Sequence, residues 1–292
     1  MIKYSIKDLE KITGIKAHTI RIWEKRYGIV KPLRTQTNIR YYSDEDLRHL
    51  MNVAILNKFG YKISTIQSMS SSEIKKCVVD LTKQDLDNDH QVDNLVMAMM
   101  EIDEQRFDKI ISSSIIKQGF EYTFENLLYK FLEKIGILWQ IGAVNPSQEH
   151  FITQLIRQKL IMAIDGQQEI RNNHKTFLLF LPENEYHELG LLYLHYLIRK
   201  KGHVVIYLGQ NVPLENLQNI FERHNIDYMI TSIGSHIQDE VLESMLLELS
   251  ELYKDKKILI GGNCLHNSSV TLPENFTTFN SLIDFADFLE KL

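Results

Sequence analysis

The strand-to-helix turn around His187 is the segment of this chain whose residue types could do the most chemistry. The apolar run Phe177 to Leu181 precedes the turn and is typical of a buried strand in a parallel sheet. A histidine in the first strand-to-helix loop of an α/β sheet lies at the ligand-binding end of the strands. Glu185 can accept a hydrogen bond from one ring nitrogen and leave the other to ligate a metal, and Gly190 would let a bulky planar ligand approach closely. The pattern alone fits either a ligating histidine or an ordinary histidine in a surface loop.

The composition describes a globular protein of more than one domain. A length of 292 residues suits two or three domains, and hydrophobic and charged fractions of 44% and 24% are those of soluble proteins. No apolar stretch is long enough to span a bilayer, and the first residues lack a signal-peptide core. The two cysteines, Cys77 and Cys264, are too few for a disulfide framework or a cysteine-rich zinc site. We therefore expect a cytoplasmic protein with no membrane partner.

Charge is distributed unevenly along the chain. The overall formal charge is -5, but residues 1–50 contain eleven Lys or Arg and six Asp or Glu, a net of +5. The remaining residues contain 22 basic and 32 acidic side chains, a net of -10. A basic end on an acidic body indicates that this end meets a polyanion.

The basic end has the pattern of a helix-turn-helix. Ser5 can cap a first helix that Gly14 ends, and a second helix is predicted over about residues 17–27. A polar hairpin over residues 32–42 could act as a wing against phosphates, and Ser43 starts the capping sequence of a third helix. The second helix of such a motif enters the major groove of duplex DNA. The polar, mostly basic face of that helix consists of Lys16, His18, Thr19, Arg21, Lys25 and Arg26.

Residues 4–70 resemble the winged helix-turn-helix of the MerR transcription regulators. The stretches that carry the resemblance are Tyr4-Ser5-Ile6, Thr19-Ile20-Arg21-Ile22-Trp23-Glu24, Pro32-Leu33-Arg34 and Asn38-Ile39-Arg40-Tyr41-Tyr42-Ser43. By position, the resemblance assigns three residues to the recognition helix and three to the wing: Thr19, Arg21 and Arg26, then Arg34, Arg40 and Tyr41. With Lys16 and His18 these are the candidate DNA-binding residues. Since the family binds promoters as dimers, the implied partners are double-stranded promoter DNA and a second copy of the chain.

Most members of this family dimerise through one long helix that follows the DNA-binding domain. That helix is not evident here, because Ser68-Met69-Ser70-Ser71-Ser72 interrupts the chain. The resemblance therefore implies a homo-oligomer, a dimer or a tetramer, whose contacts lie elsewhere.

Three domains are predicted, the first being the winged helix-turn-helix over residues 1–75. A polar, acidic linker over 84–91 separates it from residues 92–170, where apolar residues recur at helical spacing. The second domain is therefore a four-helix bundle, with helices predicted at 92–101, 103–117, 119–141 and 146–169.

The third domain, over residues 174–292, alternates between strands and helices. The strands are predicted at 176–181, 203–207, 227–232, 257–260 and 276–279, and the helices at about 186–201, 213–224, 237–253 and 281–291. This alternation predicts an α/β doubly wound, flavodoxin-like sheet of five parallel strands. Small residues in the loops at three strand ends make a slot rather than a packed core: Gly209, then Ser232, Gly234 and Ser235, then Gly261 and Gly262.

Other ligands of doubly wound sheets fit these loops poorly. No Walker lysine follows the glycines and no GxGxxG occurs, so nucleoside triphosphates and dinucleotides are weak candidates. A phospho-receiver domain would need an acidic cluster at the strand ends, and Leu178 to Leu181 supplies none.

A helical bundle followed by this sheet resembles the cobalamin-binding module of methionine synthase and of the CarH-type light-sensing regulators. That module is marked by Asp-x-His-x-x-Gly, a serine motif and Gly-Gly, and the matching stretches are Glu185-Tyr186-His187-Glu188-Leu189-Gly190, Ser232-Ile233-Gly234 and Gly261-Gly262. The bundle signature of the CarH type is Trp, nine residues, then Glu-His, and it matches Trp139, Glu149 and His150. Together with the MerR-like head, the resemblance covers almost the whole chain in the same domain order.

The resemblance implies that cobalamin, most simply adenosylcobalamin, is the cofactor. It assigns His187 as the lower axial ligand to cobalt, in place of the cofactor's own dimethylbenzimidazole. The displaced nucleotide tail would then thread the slot, whose candidate residues are Gly190, Gly209, Ser232, Gly234, Gly261 and Gly262.

Trp139, Glu149 and His150 would cover the upper face of the cofactor, where an adenosyl group sits in this interpretation. The chain departs from the family pattern at two positions. Glu185 replaces the usual Asp, so its carboxylate reaches one methylene further. Gln140 stands where light-sensing relatives place a histidine that captures cobalt after photolysis, and a neutral amide is a poor cobalt ligand beside imidazole.

Three functions are compatible with these patterns. The first is a regulator without catalysis, in which cobalamin controls the oligomer state and the binding to the operator. In this function, light acts on the cobalt–carbon bond. The second is a regulator of the same architecture that no longer binds cobalamin and responds to protein contacts. The third is a fragment of a cobalamin-dependent methyltransferase or mutase, and the MerR-like head argues against it.

Overall fold

The structure, a computed structural model, describes residues 4–35, 39–82, 88–140, 142–167, 170, 172–234, 237–266, 268–279 and 281–292. The chain divides into two compact units, Met1–Thr153 and Gln154–Leu292. None of the described helices is both long and apolar enough to cross a membrane. The finer division into three domains stays a prediction.

The helix-turn-helix forms as the sequence predicts. Helix α1 (Ile6–Thr13) begins at a capping box on Ser5 and ends at Gly14, whose φ of 72° is left-handed. Helix α2 (Ala17–Tyr27) follows and buries Trp23 against the rest of the motif. The short segment between the two helices therefore fixes the direction of the recognition helix.

The wing is a short antiparallel hairpin, as predicted. Strands β1 (Leu33–Arg34) and β2 (Arg40–Tyr41) pair with each other, and residues 36–38 at its tip lie outside the described residues. Helix α3 (Asp44–Lys58) starts immediately after it, at a capping box in which the Ser43 side chain accepts a backbone hydrogen bond.

Helices account for most of the chain from there to residue 165. They are α4 (Ile63–Gln67), α5 (Ser71–Thr82), α6 (Asn88–Glu101), α7 (Glu104–Gln118), α8 (Phe120–Thr123), α9 (Tyr129–Gln140) and α10 (Pro146–Asp165). The predicted helical region is therefore confirmed. The interruption predicted over residues 68–72 covers residues 68–70, because α5 already begins at Ser71. Helix α6 begins inside the predicted linker over 84–91, of which residues 84–87 lie outside the described part of the chain.

The helix predicted over 119–141 is not one regular α-helix. A π-helical turn, Phe124–Leu128, separates α8 from α9, and the backbone N–H of Tyr129 donates to the carbonyl of Phe124, five residues earlier. The hydroxyl of Thr123 donates to the carbonyl of Gly119 just before this turn. A side chain that competes for a backbone carbonyl favours such a local change in winding.

The second unit contains the predicted sheet. Its strands are β3 (Thr176–Pro182), β4 (Val204–Val212), β5 (Tyr228–Ser232), β6 (Lys257–Gly261) and β7 (Phe276–Thr278). The helices between and after them are α11 (Leu189–Lys200), α12 (Gln218–Phe221), α13 (Asp239–Leu252), α14 (Asn263–His266) and α15 (Leu282–Glu290). A short 3-10 helix, Leu214–Leu217, leads into α12.

The strand order β4-β3-β5-β6-β7, with every pair parallel, confirms the flavodoxin-like topology. Strand β3 lies between β4 and β5, and all five residues from Phe177 to Leu181 are fully buried. This explains the uninterrupted apolar run, since a central parallel strand is covered on both faces. The carboxyl ends of β3, β5 and β6 consequently lie at one edge of the sheet.

Two predicted boundaries at this edge were wrong. Gly209 lies inside β4 and not in a loop, because β4 continues to Val212 through a bulge. Leu179 pairs with Tyr207 and the next residue of β3 pairs with Gly209, which has a φ of 80°. Helix α11 begins at Leu189, three residues later than predicted, so His187 lies in the loop.

The loops after β5 and β6 approach each other at Gly262. This residue has a φ of 111°, and a Cβ built on it would lie 2.2 Å from the carbonyl oxygen of Ile233. A Cβ on Gly190, in the first turn of α11, would have no atom within 4 Å. Only the first of these two glycines is therefore required by the fold itself.

Gly262→Ala should destabilise the second unit. The left-handed backbone alone costs about 1–3 kcal/mol for a residue with a Cβ, and the overlap with Ile233 adds to it. Chemical denaturation of the protein without cofactor measures the effect, with Gly190→Ala as the matched control. The control should be neutral or slightly stabilising, and equal stability of the two variants would contradict the close approach at Gly262.

Candidate functional site

The carboxylate of Glu185 is the centre of the loop that follows β3. It is 1% exposed, and its Oε1 accepts the backbone N–H groups of Tyr186 and His187, both at 2.9 Å. Its Oε2 accepts the backbone N–H of Gly234, at 2.8 Å, from the loop after β5. A buried carboxylate with this many donors holds two loops of neighbouring strands together.

His187 is held by the same carboxylate. Its Nδ1 lies 2.6 Å from Oε1 of Glu185, while its side chain is 71% exposed. Because a carboxylate only accepts hydrogen bonds, this contact places a proton on Nδ1, so that in the neutral imidazole the lone pair is on Nε2. An imidazole oriented in this way by a carboxylate has the form of a metal ligand.

Glycines line the loops around this pair. A Cβ on Gly234 would lie 3.2 Å from the Cβ of His187, so the imidazole packs directly over a residue without a side chain. Gly261 ends β6 beside Ser232 of β5, and a Cβ there would lie 2.5 Å from the ring of Phe279. A side chain at Gly234 or Gly261 would therefore press on His187 or Phe279. Ser235 lies outside the described residues.

The donor set fits a metal that brings most of its own ligands. In the described part of the chain, no group of three or more His, Cys, Asp or Glu side chains could hold a bare metal ion. His187 therefore offers one oriented nitrogen, which suits a metal whose other positions are filled by a macrocycle such as a corrin.

A second buried carboxylate follows the histidine directly. Glu188 accepts from Nε of Arg157 at 2.6 Å and from the hydroxyl of Tyr207 at 2.9 Å. Burial raises the pKa of Tyr207, and the charge of Glu188 raises it further. Burial and then the charge of Arg199 lower the pKa of His195, which stacks on Tyr207, to about 4. Both aromatic side chains are therefore neutral at physiological pH.

Sequence reasoning did not identify Glu188, Arg157 or Tyr207. An acidic residue at a helix start ordinarily serves the helix terminus, so Glu188 carried no separate signal. Arg157 and Tyr207 are distant from it in sequence, and only the packing of α10 and β4 brings them together.

The candidates in the bundle belong to the ends of two consecutive helices. Trp139 lies in the last turn of α9 and is 48% exposed, so it is not a core residue. Glu149 and His150 lie in the first turn of α10, where Oε2 of Glu149 is 3.1 Å from Nδ1 of His150. The other oxygen of Glu149 accepts from the hydroxyl of Thr153 at 2.7 Å. The structure thus places an exposed indole and an oriented Glu-His pair at these two helix ends.

The candidate DNA-binding residues divide into accessible and tethered side chains. Arg21 and His18 are exposed on α2, Thr19 is half-buried beside them, and Arg26 lies over the ring of Tyr27 at 5.4 Å. Lys16 precedes the helix and pairs with Glu10 at 3.3 Å while 72% of its side chain stays exposed.

On the wing, Arg34 is exposed and Tyr41 half-buried. Nε of Arg40 lies 3.3 Å from Oε1 of Glu24 on the recognition helix, and the hydroxyl of Tyr42 donates to the other oxygen of Glu24 at 3.4 Å. Arg40 thus has a structural contact that ties the wing to α2, which sequence reasoning did not foresee.

Comparison with known proteins accounts for this combination of parts. Residues 4–73 match the family model of MerR HTH regulatory proteins, and residues 91–163 match that of the B12 binding domain. The chain is 26% identical over 266 residues to the HTH-type transcriptional repressor CarH of Myxococcus xanthus, covering 89% of this chain and 88% of that protein. It is 24% identical over 259 residues to the repressor CarA of the same organism, covering 88% and 85%.

The solved structure of the monomethylamine corrinoid protein of Methanosarcina barkeri has the same fold. The match has a TM-score of 0.55 at 13% identity and covers 70% of this chain and 100% of that one. On these findings the chain joins a MerR-type helix-turn-helix to a B12 binding domain.

Proposed function

We propose that this protein is a transcriptional regulator in which cobalamin, bound through His187, controls the binding of the N-terminal head to promoter DNA. The observation that carries the proposal is the pair formed by Glu185 and His187 at the carboxyl end of β3. In this account the head is residues 1–75, the bundle 92–170 and the sheet domain 174–292, and the protein has no catalytic role.

His187 supports the cobalamin half of the proposal through its geometry. The imidazole is exposed and its proton is fixed on Nδ1, so Nε2 can replace dimethylbenzimidazole as the lower ligand to cobalt. We call cobalamin whose dimethylbenzimidazole is not bound to cobalt base-off. The tail slot would be formed by the small residues at the strand ends and in the first turn of α11: Gly190, Gly209, Ser232, Gly234, Gly261 and Gly262.

The DNA half of the proposal is supported by the charge and exposure of α2 and the wing. Arg21 is exposed on the recognition helix and forms no ion pair with another described residue, so it is the best candidate for a base contact. The other proposed contacts are Lys16, His18, Thr19, Arg26, Arg34, Arg40 and Tyr41.

Self-association is the proposed link between cofactor and DNA. The exposed Trp139 and the Glu149–His150 pair would cover an upper adenosyl group, so adenosylcobalamin is the proposed form of the cofactor. A loaded protein that forms a dimer or tetramer presents two or more heads to one promoter. Linked heads can gain 10²–10⁴ in apparent affinity through effective concentration, so oligomer state would gate promoter occupancy.

Light is proposed as a second input. A bound adenosylcobalamin supplies a cobalt–carbon bond that light can break, which would remove the adenosyl group from Trp139, Glu149 and His150. Gln140 offers only an amide where a histidine could capture the exposed cobalt. The light response should therefore be weaker or more reversible than in relatives with histidine at that position.

His187→Ala should abolish or greatly weaken cobalamin binding while leaving the sheet folded, because the side chain is exposed. Titration of the protein with adenosylcobalamin in the dark, followed by absorbance, measures the affinity and the base-off spectrum. His224→Ala, another exposed loop histidine of the same unit, is the control and should bind as wild type. If His187→Ala binds adenosylcobalamin as tightly as wild type, the result would favour a regulator that does not bind cobalamin through His187.

Arg21→Ala should weaken binding to a selected operator by about 1–3 kcal/mol, because a base contact is lost. An electrophoretic mobility shift assay over a series of salt concentrations measures the affinity for the operator. Lys117→Ala removes an exposed positive charge from α7 and is the control for net charge. Equal operator binding by the two variants would rule out Arg21 as a contact.

Size-exclusion chromatography of three samples tests the proposed coupling: the protein without cofactor, the protein loaded in the dark, and the loaded protein after illumination. The loaded protein should elute as a larger species, and illumination should reverse the shift in part. A single elution position for all three samples would remove cobalamin as the switch of oligomer state.

A further inference from the structure

We infer that Glu188 is a positioning residue that fixes the place of the His187 loop, and so of the imidazole, for cobalt. This inference rests on the proposed function of His187. Glu188 itself does not face the metal, because its carboxylate is turned into the protein and its side chain is only 8% exposed.

The partners of the Glu188 carboxylate come from two different elements. Arg157 belongs to α10 and Tyr207 to β4, and each bonds a different oxygen of the carboxylate. The backbone carbonyl of Glu188 also accepts from the N–H of Leu192, the first such bond of α11. One side chain thus ties the start of α11 to a helix and to a strand.

This arrangement clamps the His187 loop at both ends. Glu185 holds the near end to Gly234 of the β5 loop, and Glu188 holds the far end to β4 and α10. His187 is separated from Glu188 by a single peptide bond, so a shift of the Glu188 backbone moves the imidazole with it. Without the Glu188 contacts, the ring would keep Glu185 as its proton partner, and the near end of the loop would keep its bonds from Asn211 and Gln210 of β4. The far end of the loop would lose its anchor, and with it the fixed distance from the imidazole to a ligand.

The two carboxylates therefore have different tasks. Glu185 fixes the tautomer and rotation of the imidazole through Nδ1. Glu188 fixes the place of the loop, through a cation that is 40% exposed and the hydroxyl of a half-buried tyrosine.

Glu188→Gln tests the inference, because the amide has the size of the carboxylate but cannot accept from both partners. We expect an adenosylcobalamin affinity about 10-fold weaker, as is typical when the partner behind a metal ligand is lost. At saturating cofactor, we also expect a mixed spectrum in which part of the cobalamin retains dimethylbenzimidazole on cobalt. The second readout separates positioning from stability, since a merely destabilised protein that binds would show only the base-off spectrum.

Two further variants keep the test decisive. If Glu188→Gln does not fold, Tyr207→Phe takes its place in the test, because it removes one hydrogen bond to Glu188 with little change in volume. It should shift the spectrum of the bound cofactor in the same direction, to a smaller extent. Asp227→Asn is the control, since Asp227 accepts a hydrogen bond from the N–H of Thr176 at 2.8 Å, at the start of β3, and its side chain is 28% exposed. It should leave the spectrum of the bound cofactor unchanged.

The outcomes distinguish the inference from the proposed function. The role of Glu188 would be overturned if wild type binds cobalamin base-off and both Glu188→Gln and Tyr207→Phe keep the wild-type affinity and spectrum. Failure of wild type itself to bind cobalamin base-off would instead overturn the assignment of His187, on which the inference rests.

Discussion

The buried carboxylate of Glu185 is the interaction on which the candidate site depends. A charge removed from water must find hydrogen-bond donors within the protein, and loss of a partner of a buried charge typically costs about 3–5 kcal/mol. Here the donors are the backbone N–H groups of Tyr186 and His187, the imidazole of His187, and the N–H of Gly234. The need to satisfy one side chain therefore specifies the path of the β3 loop and its distance from the β5 loop.

The sheet topology is what makes this arrangement available. Strand β3 is central, with β5 on one side and β4 on the other, so the loop after β3 can be held from both sides. Gly234 contributes from β5 and has no side chain to displace the imidazole. Tyr207 contributes from β4, just before the bulge at Gly209 turns the end of that strand. A histidine on an edge strand would have lacked one of these supports.

Much of the fold could be predicted from the sequence because its signals are local. The Ser5 and Ser43 capping boxes, the left-handed Gly14 and the apolar run of β3 each depend on neighbouring residues, and all were found as predicted. The bulge at Gly209 could not be found in this way, because a bulge is a property of the pairing between two strands. The π-helical turn at Phe124–Leu128 also escaped, since its apolar spacing differs little from that of a regular helix.

The site was predictable to a similar degree. The spacing of Glu185 and His187 indicated their contact, whereas Gly234 was assigned to a slot and proved to be a donor to Glu185 as well. Two ion pairs join residues far apart in sequence: Arg40 with Glu24, and Glu188 with Arg157. Charge patterns along the chain do not specify such partners, because packing decides which oppositely charged side chains meet.

Electron paramagnetic resonance of cob(II)alamin bound to the protein tests the central claim most directly. A nitrogen below cobalt splits the cobalt lines, into triplets for ordinary nitrogen and into doublets for the heavy isotope. Protein grown with heavy-nitrogen histidine should give doublets if His187 is the lower ligand. Triplets that persist in the labelled protein would mean that dimethylbenzimidazole stays on cobalt, and would contradict the assignment of His187.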